Sequence, residues 1–202
     1  MSMPGTDRTE ASGPPIGPGT LVLVVGPSGA GKDTLIDVAR SRLSGERRVL
    51  FARRLVTRPP GEGEAHGRLD EAEFEAGRAA GCFPLSWRAH GLGYALGPEV
   101  AAMIRDGGVV VANGSRASLP LARERFARVR VVLVTAPAEV RAARLARRGR
   151  ESAAQIAERL AHAPDAEVAP DLVIENVGSP EAGGEVLRAF IAAALERVAY
   201  CR

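Results

Sequence analysis

Lys32 is the sole lysine among the 27 lysines and arginines of this 202-residue chain. It lies in Gly26-Pro27-Ser28-Gly29-Ala30-Gly31-Lys32-Asp33-Thr34. The spacing Gly-x4-Gly-Lys lets a backbone curl its N–H groups around phosphates while an ammonium reaches the β- and γ-phosphates. The apolar run Leu21–Val25 reads as a strand before this turn, and Lys32–Leu43 reads as a helix after it. The helix N-terminus adds its positive end to the same point. Gly26 to Thr34 are therefore the candidate ATP-binding residues, with Lys32 the first candidate catalytic group. A merely tight connection is the plain alternative, and the lysine, the spacing and the strand–helix context together weigh against it. In a chain otherwise free of lysine, the position keeps a compact point charge, which a planar guanidinium replaces poorly.

The residue after Lys32 departs from the motif. A serine or threonine hydroxyl is expected there for Mg²⁺; Asp33 stands instead, with Thr34 behind it. We read the Asp33 carboxylate as a hard oxygen ligand for Mg²⁺, the alternative being that Thr34 is a shifted hydroxyl that only caps the helix. Arginines supply the remaining chemistry. Arg53, Arg54 and Arg58 stand at a strand end beside a Pro/Gly turn, placed to grip an acceptor phosphate bidentately. Arg144, Arg147, Arg148 and Arg150 join two helices, with Arg159 further on. This segment, about 147–155, could close as a lid over the transferring phosphoryl group, making Arg144 and Arg148 candidate catalytic residues. A solvated strand edge and a solvated helix end are the plain alternatives for the two clusters. His66, His90 and His162 show no metal-ligand spacing; the first two fall where an acceptor would be met. No Ser/His/Asp arrangement is evident, and transfer to an ionised phosphate oxygen needs positioning and charge neutralisation more than a strong base.

Short apolar runs separated by helical stretches must position these residues. Strands are expected at Leu21–Val25, Val49–Val56, Val109–Ala112, Val129–Val134 and Leu172–Glu175. Helices are expected at Lys32–Leu43, Glu71–Ala80, Glu99–Asp106, Leu119–Ala127, Pro137–Arg147, Ser152–His162 and Glu181–Val198. The alternation predicts an α/β fold, a parallel sheet covered on both faces. From Thr57 to about Leu96 the pattern breaks into turns and one short helix, the place for a substrate-binding insertion.

Composition bounds the rest. With 46% hydrophobic residues and 4% aromatics, the chain suits one domain, 20–202, cored by Val, Leu, Ala and Ile. The net charge of +3 fits a site for several phosphates, and no basic run interleaved with aromatics points to nucleic acid. Residues 1–19, rich in Gly, Pro, Ser and Thr, are expected to be a disordered tail. No apolar run approaches the roughly 20 residues that span a bilayer. Cys82 and Cys201 lack a partner pattern, which predicts a reduced, cytoplasmic setting. A homodimer is compatible with this composition but not specified by it.

Gly26–Thr34, Thr57-Arg58-Pro59, Gly81–Tyr94 and Arg144–Arg159, in that order and at similar spacing, resemble the guanylate kinase-like branch of nucleoside monophosphate kinases. The resemblance covers most of the chain from about Thr20. It implies a P-loop NTPase fold, a three-layer αβα kinase with an acceptor-binding insertion at 57–96 and an arginine lid. The guanine-reading glutamate of guanylate kinases is matched by Leu85 in Phe83-Pro84-Leu85-Ser86-Trp87. Their Tyr-Gly-Thr is matched by Tyr94-Ala95-Leu96, a second phosphate-binding arginine falls at Gly61, and an expected tyrosine is missing near His66–Leu69. A site without those hydrogen-bond partners discriminates poorly for guanine.

The P-loop ending in Asp33, together with Leu85-Ser86-Trp87, Asn113-Gly114-Ser115-Arg116 and Arg148–Ser152, resembles the ribose 1,5-bisphosphate phosphokinase subgroup. That subgroup is associated with phosphonate breakdown and makes 5-phosphoribosyl 1-diphosphate (PRPP). Asp33 is typical of it, and Asn113 replaces an aspartate, its amide suiting a sugar hydroxyl. The resemblance implies ATP and Mg²⁺ as donor and cofactor and ribose 1,5-bisphosphate as acceptor. It gives Arg54, Arg58, His90, Tyr94, Asn113, Arg116 and Arg159 as acceptor contacts. Two other readings stay open: a nucleotide kinase of drifted specificity, separable by its acceptors, and a non-catalytic binding module, against which Lys32, Gly26 and Gly31 argue.

Overall fold

In the computed structural model, residues 13–59, 66–89, 91–147 and 169–199 are described. Strand β1 (Thr20–Val25) is the run Thr-Leu-Val-Leu-Val-Val, buried along its whole length. Its β-branched and aliphatic side chains fill both faces of a sheet, as a central parallel strand requires. Around it lie β2 (Val49–Phe51), β7 (Val109–Asn113), β8 (Val129–Thr135) and β9 (Leu172–Glu175), in the order β2-β7-β1-β8-β9, every pairing parallel.

The alternation of β1 divides the core in two. Val22 and Val24 face α1 (Lys32–Arg42) and α6 (Pro180–Ala199), packing with Leu35, Ile36, Leu187 and Ile191. Leu21, Leu23 and Val25 face α3 (Pro98–Arg105) and α4 (Leu119–Arg125), packing with Val100, Ile104, Leu119 and Ala122. Helix α5 (Ala138–Arg147) follows β8 and buries Leu145. The expected α/β sandwich with a parallel sheet is the observed fold. Among the described residues, no helix is long and apolar enough to cross a membrane.

Three expectations need correction. The single strand Val49–Val56 is two strands in different sheets. β2 pairs with β7 only as far as Phe51, while β3 (Leu55–Val56) pairs with β6 (Leu92–Leu96). Two consecutive arginines, Arg53 and Arg54, cannot enter a sheet buried on both faces without stranding charge. The chain leaves there, and Arg53 donates to the His66 carbonyl at 2.9 Å.

The stretch 57–96, expected as turns and a helix, also supplies three of the four strands of a second sheet. Its order is β4-β3-β6-β5, with β4 at Gly67–Arg68 and β5 at Leu85–Ala89. In β5, buried Leu85 and Trp87 alternate with more exposed neighbours, a period of two too short to stand out in the sequence. Helix α2 (Glu71–Ala79) covers this sheet, its N-terminus closed by a reciprocal Asp70–Glu73 capping box. Arg88 of β5 bonds both Glu71 and Glu75 across to the helix, and that bond holds the Glu75 carboxyl below its usual range.

The third correction concerns the tail. Residues 13–19 are docked: Ile16 N–H donates to the Arg125 carbonyl at 2.8 Å, and the Ile16 carbonyl accepts from Ala127 N–H at 2.9 Å. Ile16 also packs against the core beside α4. Its one aliphatic side chain was hidden among glycines and prolines. Residues 1–12 lie outside the described residues.

Candidate functional site

The C-terminal ends of the parallel strands converge on one edge, where open α/β sheets hold their ligands. The loop Gly26–Gly31 runs from the end of β1 into α1. Gly26 has φ +144°, and a Cβ there would lie 2.0 Å from the Val134 carbonyl of β8, so only glycine lets the loop leave the sheet this closely. Lys32 Nζ reaches back across the loop to the Gly26 carbonyl at 2.7 Å and the Pro27 carbonyl at 3.1 Å. Gly31 caps α1 without a side-chain hydrogen bond, so the helix end keeps its N–H groups for an anion. Ser28 is half-buried in the loop, and Thr34 is exposed in the first helical turn.

The far side of the loop is fastened by residues from two other elements. The Ala30 carbonyl accepts from Asn176 Nδ2 at 2.8 Å and from an Arg144 guanidinium nitrogen at 3.3 Å. The other terminal nitrogen of Arg144 donates to the Asn176 carbonyl at 2.9 Å. Arg144, near the end of α5, therefore touches the P-loop backbone. Asn176 follows β9 and is 5% exposed. Sequence reasoning missed it: β9 is an edge strand in which only Ile174 is buried, so no apolar run points to the residue that follows.

On the open side, Asn113 at the end of β7 donates from Nδ2 to Asp33 Oδ1 at 2.5 Å. Asn113 is buried while the Asp33 side chain is 58% exposed, so a fixed amide holds a carboxylate that faces solvent. An Arg54 terminal nitrogen stands 3.9 Å from the same Asp33 oxygen. The Arg54 guanidinium lies 5.9 Å from the Tyr94 ring centre, and Tyr94 stacks on Trp87 at 5.4 Å with 9° between the planes. Arg54 and Trp87 come from opposite sides of β6, so the Tyr94 ring is flanked by both. This column of Trp87, Tyr94 and Arg54 leads from the second sheet to Asp33, combining ring stacking with a cation–π contact.

Thus Lys32, Asp33, Arg54, Tyr94, Asn113 and Arg144 gather at one strand-end edge. Arg116 follows β7 in the 3-10 turn Arg116–Ser118, which packs against β5, and Arg58 donates to the Pro59 carbonyl at 3.2 Å. His66 is 3% exposed with Nδ1 3.0 Å from the Gly67 carbonyl, so it faces the fold and not an acceptor. His90, Arg148 and Arg159, the helix expected at Ser152–His162 and all of the expected lid at 147–155 except Arg147 lie outside the described residues.

Among the described residues no group of three or more His, Cys, Asp or Glu gathers as a metal site. Mg²⁺ commonly binds through one or two carboxylates together with substrate phosphates. Asp33, exposed beside the phosphate loop, fits that sharing.

A strand–Gly-x4-Gly-Lys–helix unit in a parallel sheet, with a small second sheet at the strand ends, defines a P-loop kinase of the guanylate kinase kind. No family model matches the chain. Its fold is similar to the crystal structure of guanylate kinase from Anaplasma phagocytophilum, with a TM-score of 0.61 at 17% identity, covering 87% of this chain and 85% of that one. Among curated proteins, ribose 1,5-bisphosphate phosphokinase PhnN of Methylobacterium radiotolerans is 52% identical over 176 residues, which are 87% of this chain and 99% of that protein. The same-named protein of a Chelativorans species is 49% identical, over 89% of this chain and 88% of its own. The chain belongs to the ribose 1,5-bisphosphate phosphokinase family.

Proposed function

We propose that this chain transfers the γ-phosphoryl group of ATP to the 1-phosphate of ribose 1,5-bisphosphate, giving 5-phospho-α-D-ribose 1-diphosphate and ADP. An oxygen of the acceptor's 1-phosphate forms the new bond to the γ-phosphorus, and the bond from that phosphorus to the β,γ-bridging oxygen breaks. The electron pair leaves with ADP. The observation that carries the reading is the meeting of Asp33, the residue after Lys32, with Asn113 and Arg54, in a chain with close kinship to that family.

Each group has a part in that transfer. Backbone N–H groups of Gly26–Lys32 cradle the donor phosphates, and the Lys32 ammonium offsets charge on the β- and γ-phosphates. Asp33 would hold Mg²⁺, which supplies charge neutralisation across those phosphates when bound. Asn113 steers the Asp33 carboxylate, and its amide is placed for a hydroxyl of the sugar. Arg54, Arg58 and Arg116, with His90 and Arg159, are the proposed acceptor contacts, Tyr94 acting through Arg54. Arg148 would neutralise charge on the transferring group from the lid side, while Arg144, expected there too, is engaged through both terminal nitrogens with the Ala30 and Asn176 carbonyls and supports the loop. This reading carries a cytoplasmic setting.

A guanine acceptor is disfavoured by one specific contact set. Leu85, at the position of the guanine-reading glutamate, is 1% exposed and packed in the core between the second sheet and α3. A buried leucine offers no hydrogen bond to a base edge. Phosphorus NMR of the reaction of ATP with ribose 1,5-bisphosphate tests the proposal. Paired diphosphate signals of the sugar product are expected; ADP formation without them would contradict it.

A further inference from the structure

The Ala30–Gly31 peptide is gripped on its carbonyl side by two donors from distant parts of the chain. Asn176 Nδ2 lies 2.8 Å from the Ala30 oxygen and an Arg144 nitrogen 3.3 Å from it. A trans peptide points its C=O and N–H in opposite directions. Fastening the Ala30 carbonyl toward Asn176 therefore turns the Gly31 N–H away from Asn176, in a loop whose N–H groups must converge on phosphate.

Asn176 is itself immobilised. Its backbone N–H donates to the Thr135 carbonyl at 2.8 Å, its carbonyl accepts from Arg144 at 2.9 Å, and its side chain is buried. The packing is close enough to constrain residue 31 as well. Gly31 has φ +92°, and a Cβ there would come within 2.3 Å of Asn176 Nδ2. The amide thus occupies the volume that any side chain at 31 would need.

We propose that Asn176 is a positioning residue of the donor site, setting the Ala30–Gly31 peptide plane so that the Gly31 N–H meets a nucleotide phosphate. It touches no substrate and acts through the loop. The inference rests on the donor-site reading, and goes beyond it by assigning the residue after β9. Asp at 176 keeps the shape but replaces the donating NH₂ by an acceptor that repels the Ala30 oxygen. Ser at 176 is neutral and too short to span the same gap.

The test is calorimetric titration of ADP with Mg²⁺ into wild type, Asn176→Asp and Asn176→Ser, with thermal melting and steady-state kinetics alongside. In either folded variant, ADP affinity is expected to fall about tenfold, as for loss of one oriented hydrogen bond near charge. The KM for ATP should rise by a similar factor while the KM for ribose 1,5-bisphosphate stays within about twofold. Unchanged ADP affinity in a folded variant would overturn the proposal, as would equal rises in both KM values, the pattern of general loosening. Failure of the wild-type chain to bind ADP would instead overturn the donor-site reading beneath it.

Discussion

Asn113, at the end of β7, donates at 2.5 Å to Asp33, in the first turn of α1 and 80 positions away in the chain. The bond fixes a carboxylate immediately after the P-loop lysine, where related motifs place a hydroxyl. An amide can do this without adding charge. Replacing it by Asn113→Asp would set two carboxylates in contact, and one would resist ionisation. Turnover at neutral pH is expected to fall about 10- to 100-fold, with a raised Mg²⁺ requirement, on the scale of a lost charge-positioning contact. Steady-state rates across a Mg²⁺ titration check this; a wild-type Mg²⁺ profile would remove Asn113 from the site.

Asp33→Ala takes away the proposed Mg²⁺ ligand while leaving α1 its good helix formers. A right-shifted Mg²⁺ activation curve is expected, together with at least about a tenfold loss of kcat at low Mg²⁺. Should the metal requirement stay as in wild type, Thr34 or the phosphates alone would be holding the ion.

Lys32, as the sole lysine, offers a chemical test as well as a genetic one. An amine acylating reagent has two kinds of target, Lys32 and the chain's α-amino group, and ATP should protect the first. Mass spectrometry of labelled peptides reads the protection. In parallel, Lys32→Ala should lower turnover by about 10³-fold or more, the scale of a cation acting on developing phosphoryl charge, without a change in far-UV circular dichroism.

The Trp87–Tyr94–Arg54 column separates two roles for the tyrosine. Tyr94→Phe keeps the ring and should keep acceptor KM within about twofold, whereas Tyr94→Ala frees Arg54 and should raise it about tenfold, near the upper range of a cation–π contact. A large loss in the Phe variant would make the hydroxyl an acceptor contact instead. Trp87 is the chain's single tryptophan, so its fluorescence reports on the same column.

Truncation tests the docked segment. Removing residues 1–12 should leave melting temperature and activity unchanged. Removing residues 1–18 also deletes Ile16 and its two backbone hydrogen bonds to the end of α4. That loss should cost about 1–3 kcal/mol and lower the melting temperature by several degrees. Equal melting temperatures for the two truncations would contradict this.

The donor-site motif was legible because its signal is local: strand, glycines, lysine and helix follow one another without a break from Thr20 to Arg42. Asp33 was legible as a departure, but its partner was not identifiable, because Asn113 arrives through the β1–β7 pairing and no local pattern joins them. Arg54 was read at the end of one strand, whereas it lies in the link between β2 and β3, which belong to different sheets. Two arginines inside an apolar run marked the break between β2 and β3, which periodicity alone merged. Asn176 escaped notice since its role lies in holding a backbone carbonyl, a contact that no residue pattern encodes. The second sheet escaped because its strands are two to five residues long, and Gly93 interrupts β6.

The central claim concerns the acceptor, and a single comparison decides it: kcat/KM for ribose 1,5-bisphosphate against GMP, dGMP and AMP, each with saturating ATP and Mg²⁺. A buried Leu85 and an arginine-lined edge predict that the bisphosphorylated sugar exceeds every nucleotide by about 10³-fold or more, the scale on which sites lacking matched polar partners reject a ligand. Comparable values for any nucleoside monophosphate would contradict the assignment and return the chain to the nucleotide kinases.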